Sequence, residues 1–142
     1  MKLVIVRHGQ DDYMNGGGLS KQGAVQSKNI AQLIKDSFTD KRLKVFTSPI
    51  KRAIETAAII AEVCSLEQPQ QLDWLSCDEQ MLRGDLSMFY DANDDLFDVV
   101  VLVSHMSRCK DICLLYGRSI PFDNNCTAVL IDGKTRTVEK IN

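Results

Sequence analysis

Short unbroken runs of β-branched and aliphatic residues alternate along this chain with longer stretches in which apolar residues recur every three or four positions. Lys2 to Val6 is such a run, halted by Arg7-His8-Gly9, and reads as a buried strand that ends in a loop. From Ser20 the spacing becomes helical: Ala24, Ser27, Ala31, Ile34 and Phe38 share a face, and Ser20 is placed to cap the start. Lys44 to Thr47 reads as a second strand. Ser48-Pro49 then opens a helix running to about Cys64, with Pro49 at its first position, where a missing N–H costs nothing. Ile50, Ile54, Ala57, Ala61 and Cys64 form its expected apolar stripe.

Residues 66 to 97 carry the weakest pattern, with an extended piece expected near Gln71 to Asp73 and a helix near Leu86 to Leu96. Val99 to Val103, preceded by Asp98, is the continuous apolar run of a strand covered on both faces. Ser107 to Tyr116 follows as a helix stopped by Gly117. Thr127 to Ile131 and Thr135 to Ile141 flank Asp132-Gly133, a pair that favours a hairpin turn. This alternation predicts an α/β fold, a three-layer α/β/α sandwich whose mostly parallel central sheet has an antiparallel edge. No repeat or linker divides the chain, and the one glycine cluster, Gly16-Gly17-Gly18, lies too near the N-terminus to separate domains, so residues 1–142 read as a single domain.

Composition narrows the function. A chain of 142 residues, 44% hydrophobic and 25% charged, falls in the soluble globular class. Seventeen basic against nineteen acidic side chains leave a net charge of -2, which argues against nucleic acid as a partner, since displacing phosphate counterions needs an excess of Lys and Arg. The longest apolar run, Val99 to Val103, is far short of the roughly 20 residues that cross a bilayer. The segment before Arg7 is too brief for a secretory signal, so no membrane partner and a cytoplasmic location are expected. Cys64, Cys77, Cys109, Cys113 and Cys126 form an odd, scattered set that suits reduced, mostly buried thiols.

The chain has only two histidines, and each sits immediately beyond an apolar strand: His8 after Leu3 to Val6, His105 after Val99 to Val103. In open α/β sheets the carboxyl ends of the strands form the ligand crevice, so the two imidazoles converge if their strands are neighbours. Arg7 precedes His8, and Arg52 lies in the first turn of the helix after the second strand. Two imidazoles and two guanidiniums at one rim suit phosphoryl chemistry. The transferred group spreads its charge over three oxygens, forked guanidinium donors hold those oxygens at fixed angles, and a neutral imidazole attacks phosphorus in line. The spacing of His105, Cys109 and Cys113 along one helical face also matches a metal site, but cysteine at helical spacing is usually core. Gly16 to Lys21 lacks the spacing of a phosphate-binding P-loop and reads as a flexible loop beside the pocket. Arg83, Arg108 and Arg118 are candidates to rim the site, with solvated surface the default for each.

Three segments carry a family resemblance. Arg7-His8-Gly9 after the first strand, Thr47-Ser48-Pro49-Ile50-Lys51-Arg52-Ala53-Ile54-Glu55-Thr56-Ala57 in the middle, and Val103-Ser104-His105 late in the chain resemble the histidine phosphatase superfamily, which includes the phosphoglycerate mutases. Leu19-Ser20-Lys21-Gln22-Gly23 and Asn125-Cys126-Thr127-Ala128-Val129 are similar to two further segments of that family. The resemblance implies a phosphoglycerate mutase-like fold. It makes His8 the nucleophile that becomes phosphorylated, with Arg7, Arg52, His105 and Met106 around the phosphate, and it implies no metal and no cofactor. One nitrogen of His8 must be free to attack, so the other is expected to be tied to a backbone carbonyl.

Two departures from the family pattern stand out. Where many relatives place a glutamate as proton donor, this chain has Leu75-Ser76-Cys77-Asp78-Glu79-Gln80, which leaves Asp78 and Glu79 as the candidates. The family's Asn, six residues beyond the nucleophile, is displaced to Asn15, seven beyond His8. The short chain leaves little room for helices inserted over the site. That build resembles the compact SixA group and implies a metal-independent phosphatase that removes phosphate from phosphohistidine in a protein partner, such as a histidine phosphotransfer domain in a phosphorelay. The alternatives are a phosphatase for small phosphate esters and a non-catalytic phosphate-binding module.

Overall fold

The computed structural model describes residues 1–77 and 83–142. In chain order the elements are β1 (Lys2–Arg7), β2 (Asp11–Asp12), β3 (Gly18–Leu19), α1 (Lys21–Ser37), β4 (Leu43–Thr47), α2 (Lys51–Val63), β5 (Gln70–Gln71), α3 (Arg83–Asn93), β6 (Val99–Ser104), α4 (Met106–Leu115), β7 (Ala128–Asp132) and β8 (Val138–Lys140). Six strands form the main sheet in the order β5-β4-β6-β1-β7-β8, and β2 with β3 makes a small separate hairpin. β5, β4, β6 and β1 run parallel, β7 is antiparallel to β1, and β8 is antiparallel to β7. This is the α/β/α sandwich with an antiparallel edge that the sequence pattern predicts.

Successive strand residues point to opposite faces, so a strand covered on both sides must be apolar throughout. In β6, Val99, Val101 and Val103 pack with Ile30, Ala31 and Ile34 of α1 and Ala53, Ala57 and Ile60 of α2. Val100 and Leu102 face the other way, against Phe89 of α3 and Cys109, Ile112 and Cys113 of α4. The chain leaving β1 therefore enters the α1/α2 layer, whereas the chain leaving the adjacent β6 enters the α3/α4 layer. A crevice opens where neighbouring parallel strands send their connections to opposite faces. The register pairs Arg7 with Ser104, so the next residues out, His8 and His105, stand side by side above it.

Two glycines explain how the first connection fits. A Cβ on Gly23 would lie 2.1 Å from the carbonyl oxygen of Gln10, and one on Gly9 would lie 2.7 Å from that of Gly23. The first turn of α1 thus rests directly on the backbone leaving His8, with Ser20 Oγ accepting from Gly23 N to cap the helix. Because the obstacle is backbone on both sides, Gly23→Ala is expected to destabilise the fold by about 2 to 3 kcal/mol, the scale of overpacking without room to relax, measurable by urea denaturation.

Three local expectations are corrected. α2 starts at Lys51, so Pro49 lies two residues before the helix, and Ile50 occupies the cap position without a side-chain cap. Its buried face is Ala53, Thr56, Ala57, Ile60 and Ala61, with Ile50 and Ile54 half-buried, because α2 is shared between the sheet and α1. The β7–β8 connection is a five-residue loop, 133–137, rather than a two-residue turn. Asp132 Oδ1 accepts from the N–H groups of Lys134 and Thr135, and the left-handed residue is Arg136 at φ 60°. Gly133 serves close approach instead, since a Cβ there would meet the Tyr90 ring at 2.3 Å. All five cysteines are free; Cys109, Cys113 and Cys126 are buried, Cys64 is half-buried and Cys77 exposed. Among the described residues no helix is long and apolar enough to cross a membrane.

Candidate active site

The site begins with the sheet register, which places the His8 and His105 rings 5.3 Å apart, edge to face. Both rings are buried, at 6% and 5% exposure. The His8 backbone is pinned on two sides: its N–H donates to Ser104 O, and its carbonyl accepts from Cys126 N and from Asn125 Nδ2. Its ring Nδ1 lies 2.7 Å from Gly9 O. A carbonyl can only accept, so Nδ1 carries the proton and Nε2 keeps its lone pair. That lone pair takes a hydrogen bond from Arg52 Nε at 3.1 Å.

Arg52 reaches both histidines, since its Nη2 lies 3.5 Å from His105 Nδ1. A guanidinium has no acceptor, so this contact leaves the His105 proton on Nε2, which donates to Ser48 Oγ at 2.8 Å. Ser48 is at this place because β4 runs beside β6, and its N–H donates to Val103 O. Thr56, one turn further along α2, accepts from Gly9 N and donates to Arg52 O, clasping the two segments together.

Arg7 is held by its Nη1, which donates to the carbonyls of Phe122 and Asp123. The loop that presents these carbonyls contains two non-glycine residues in the left-handed region, Phe122 at φ 51° and Cys126 at φ 57°. Such conformations cost about 1 to 3 kcal/mol each and persist where surrounding structure enforces them. Here the enforcement is burial, as the Phe122 side chain is fully enclosed in the core below α4.

Burial pushes the His8 imidazole below its ordinary value, and the charges of Arg52 and Arg7 push it further in the same direction, against the opposing bond to Gly9 and the charge of Asp11. The ring is therefore neutral at pH 7. The nearby Cys126 thiol is pushed up to about 11, first by burial, and is no competing nucleophile.

Of the residues singled out from the sequence, His8, Arg52 and His105 are in mutual contact and Arg7 stands directly before His8. Met106 is the first residue of α4. Asp78 and Glu79 lie outside the described residues. The segment leading to them is anchored, with Ser104 Oγ donating to Leu75 O and Arg108 Nη2 to Ser76 O. Arg108, expected at the surface, is only 4% exposed because it serves this anchor. Arg118 donates to Val138 O at the sheet edge, and Arg83 lines a groove with Tyr90 and Tyr116, so neither joins the histidine pair. Asn15 Nδ2 donates to Asp12 Oδ2 within its own turn. Cys109 and Cys113 point into the core, and among the described residues no group of three or more His, Cys, Asp or Glu is arranged to hold a metal. Phe122 and Asp123 are not separable from ordinary loop residues by type, whereas Ser48 and Thr56 carry a signal in their place inside the middle motif.

The model of the histidine phosphatase superfamily (branch 1) matches residues 3–76. A 2,3-bisphosphoglycerate-dependent phosphoglycerate mutase from Lactobacillus johnsonii is 40% identical over 72 residues, 45% of this chain but only 31% of the mutase. Among solved structures, the protein histidine phosphatase SixA complexed with tungstate superposes at a TM-score of 0.82 with 18% identity, covering 100% of this chain and 95% of that one. A mycobacterial glucosyl-3-phosphoglycerate phosphatase gives 0.72 with 18% identity, covering 99% and 96%. A phosphoserine phosphatase from Entamoeba histolytica, in complex with 3-phosphoglyceric acid, gives 0.69 with 18% identity, covering 99% and 95%. Since the family model spans more than half of the sequence and takes in both the segment around His8 and the one around Arg52, the chain belongs to branch 1 of the histidine phosphatase superfamily.

Proposed function

We propose that the protein is a phosphatase that works through a phosphorylated His8, needs no metal, and acts in the cytoplasm on phosphohistidine in a protein partner. The observation that carries this reading is the state of His8: Nδ1 is tied to Gly9 O, and the free lone pair on Nε2 faces Arg52. In the first step Nε2 attacks phosphorus, the bond from phosphorus to the leaving nitrogen or oxygen breaks, and the leaving group takes up a proton from water. As Nε2 gives its lone pair to phosphorus, the Arg52 N–H it was holding turns to a phosphoryl oxygen. Arg7 and Arg52, joined by His105 when its Nδ1 is protonated, stabilise the oxygens as charge shifts onto them, the part a metal ion plays in kinases. Water then attacks the phosphohistidine, releasing inorganic phosphate and restoring the neutral imidazole.

A phosphohistidine substrate fits the connections at this end of the sheet. Only His105 separates β6 from α4, and only residues 48–50 separate β4 from α2, so neither carries an inserted helix. An imidazole leaving group also needs less proton assistance than an alkoxide, which suits a chain without the family's usual glutamate motif. The resemblance to a phosphoglycerate mutase over 72 residues favours a second reading, with a small phosphate ester as substrate.

The test is hydrolysis of an aryl phosphate in EDTA, followed by a phosphohistidine-bearing phosphotransfer domain, a phosphoserine peptide and sugar phosphates. Preference for the phosphohistidine domain is expected. Fast turnover of a small ester and none of phosphohistidine moves the substrate to the second reading. Binding of tungstate or vanadate with no turnover of any substrate makes the protein a phosphate-binding module.

A further inference from the structure

We propose that Tyr13 and Met14 form the docking point for the phosphorylated protein, covering an apolar patch next to its phosphohistidine. The inference rests on the substrate reading above and adds the surface that recognises the partner.

Tyr13 is 77% exposed and Met14 78% exposed, at the tip of the hairpin that follows His8. They sit in a single 3-10 turn, Tyr13–Asn15, in which no residue is buried, so the turn contributes nothing to the core. The tip is nonetheless braced. β2 pairs with β3, Gly17 N donates to Asp12 O, Asn15 Nδ2 to Asp12 Oδ2, and Leu19 N to Glu55 Oε2 on α2. The hairpin therefore stands beside the turn of α2 that carries Arg52, and Asp11 at its base is close enough to act on the charge of His8. A braced turn that holds two large apolar groups in water next to a phosphate pocket is preorganised for a contact, because little ordering is left to do on binding. Met106, 37% exposed directly after His105, adds a further exposed apolar group at this end of the sheet.

The occupant follows from what can cover such side chains. A small ester is held at its phosphate and has no surface to lay over groups that project into solvent; a folded protein has. The charges around the hairpin are mixed, with Asp11 and Asp12 at its base and Lys51 Nζ beside Gly16 at its tip, so it carries no basic excess to draw an anionic lipid surface. Methionine and tyrosine also suit a protein contact, one adaptable and one rigid with a polar tip.

The experiment compares wild type, the double variant Tyr13→Ser/Met14→Ser and the conservative pair Tyr13→Phe/Met14→Leu on two substrates, an aryl phosphate and a phosphohistidine-bearing phosphotransfer domain. The serine pair is expected to raise KM for the domain about tenfold or more, as loss of an anchoring contact does, with kcat and aryl phosphate hydrolysis unchanged. The conservative pair should restore a wild-type KM. An unchanged KM for the domain in the serine pair overturns the docking point while leaving the substrate reading intact. A wild type that hydrolyses the aryl phosphate but not the domain overturns the substrate reading and the docking point with it. Loss of aryl phosphate hydrolysis in the serine pair places these residues in the pocket rather than at a docking surface. Co-sedimentation of wild type, but not of the serine pair, with phosphatidylserine vesicles assigns the surface to a membrane and overturns it as well.

Discussion

Replacing His8 with alanine is expected to lower kcat for aryl phosphate by at least about 10³-fold, because under the proposed mechanism the nucleophile and the covalent route are removed together. The fold should survive, since the His8 backbone bonds to Ser104, Asn125 and Cys126 do not use the ring. Circular dichroism and the unfolding midpoint check that half of the expectation. Rapid quenching of wild type with labelled substrate should trap a phosphoenzyme that is stable in base and lost in acid, as a phosphoramidate is, and the alanine variant should trap none. Wild-type turnover in the alanine variant would end the mechanism through a phosphorylated His8.

Arg52→Lys carries the second large effect. The guanidinium serves His8 through Nε and His105 through Nη2 at the same time, which a single ammonium on a flexible stem cannot do. Loss of preorganised donors at developing charge costs on the order of 10² to 10³ in kcat, and a similar loss is expected here. A pH profile separates this role from a merely structural one when Arg52→Ala is measured alongside. Burial is the largest cause that lowers the His8 pKa, and the positive charge of Arg52 adds to it. In wild type the nucleophile stays neutral to below the ordinary histidine value of about 6.5, so kcat/KM should fall only under that pH. Without the Arg52 charge the His8 pKa rises, protonation begins at higher pH, and the acid limb of the alanine variant should move upward.

The same shift couples to folding. A histidine whose pKa is lower folded than unfolded binds fewer protons in the native state, so its contribution is present above the unfolded value and is lost as pH falls through the folded one. Acidification from about pH 6.5 downward is therefore expected to destabilise wild type, in part by forcing a charge onto the buried His8.

Most of the architecture is legible in the amino-acid sequence. Periodicity located the strands ending at His8 and His105 because a strand buried on both faces must be apolar at every position, and Val99 to Val103 leaves no other reading. The capping role of Ser20 was equally readable, since few residue types satisfy the free N–H groups of a first turn. Legibility failed where a residue's use depends on something far away in sequence. Pro49 and Ser48 have the composition of a helix start, yet Ser48 is drawn to His105, and the helix begins only at Lys51. Gly133 has the look of a turn residue, yet it is small because Tyr90 lies on it. Arg108 carries the charge of a surface residue and is buried because the carbonyl of Ser76 needs a donor there.

What the residues alone determined is the chemistry: which side chains can attack phosphorus, which can hold its oxygens, and that both histidines end strands. Side-chain identity and local hydrophobic period are properties of short segments, and short segments can be read in isolation. Only the tertiary structure decided that β1 and β6 are neighbours in register and that Arg52 spans both imidazoles. Those facts belong to pairs of segments tens of residues apart, and their geometry exists only once the two layers of helices have closed on the sheet.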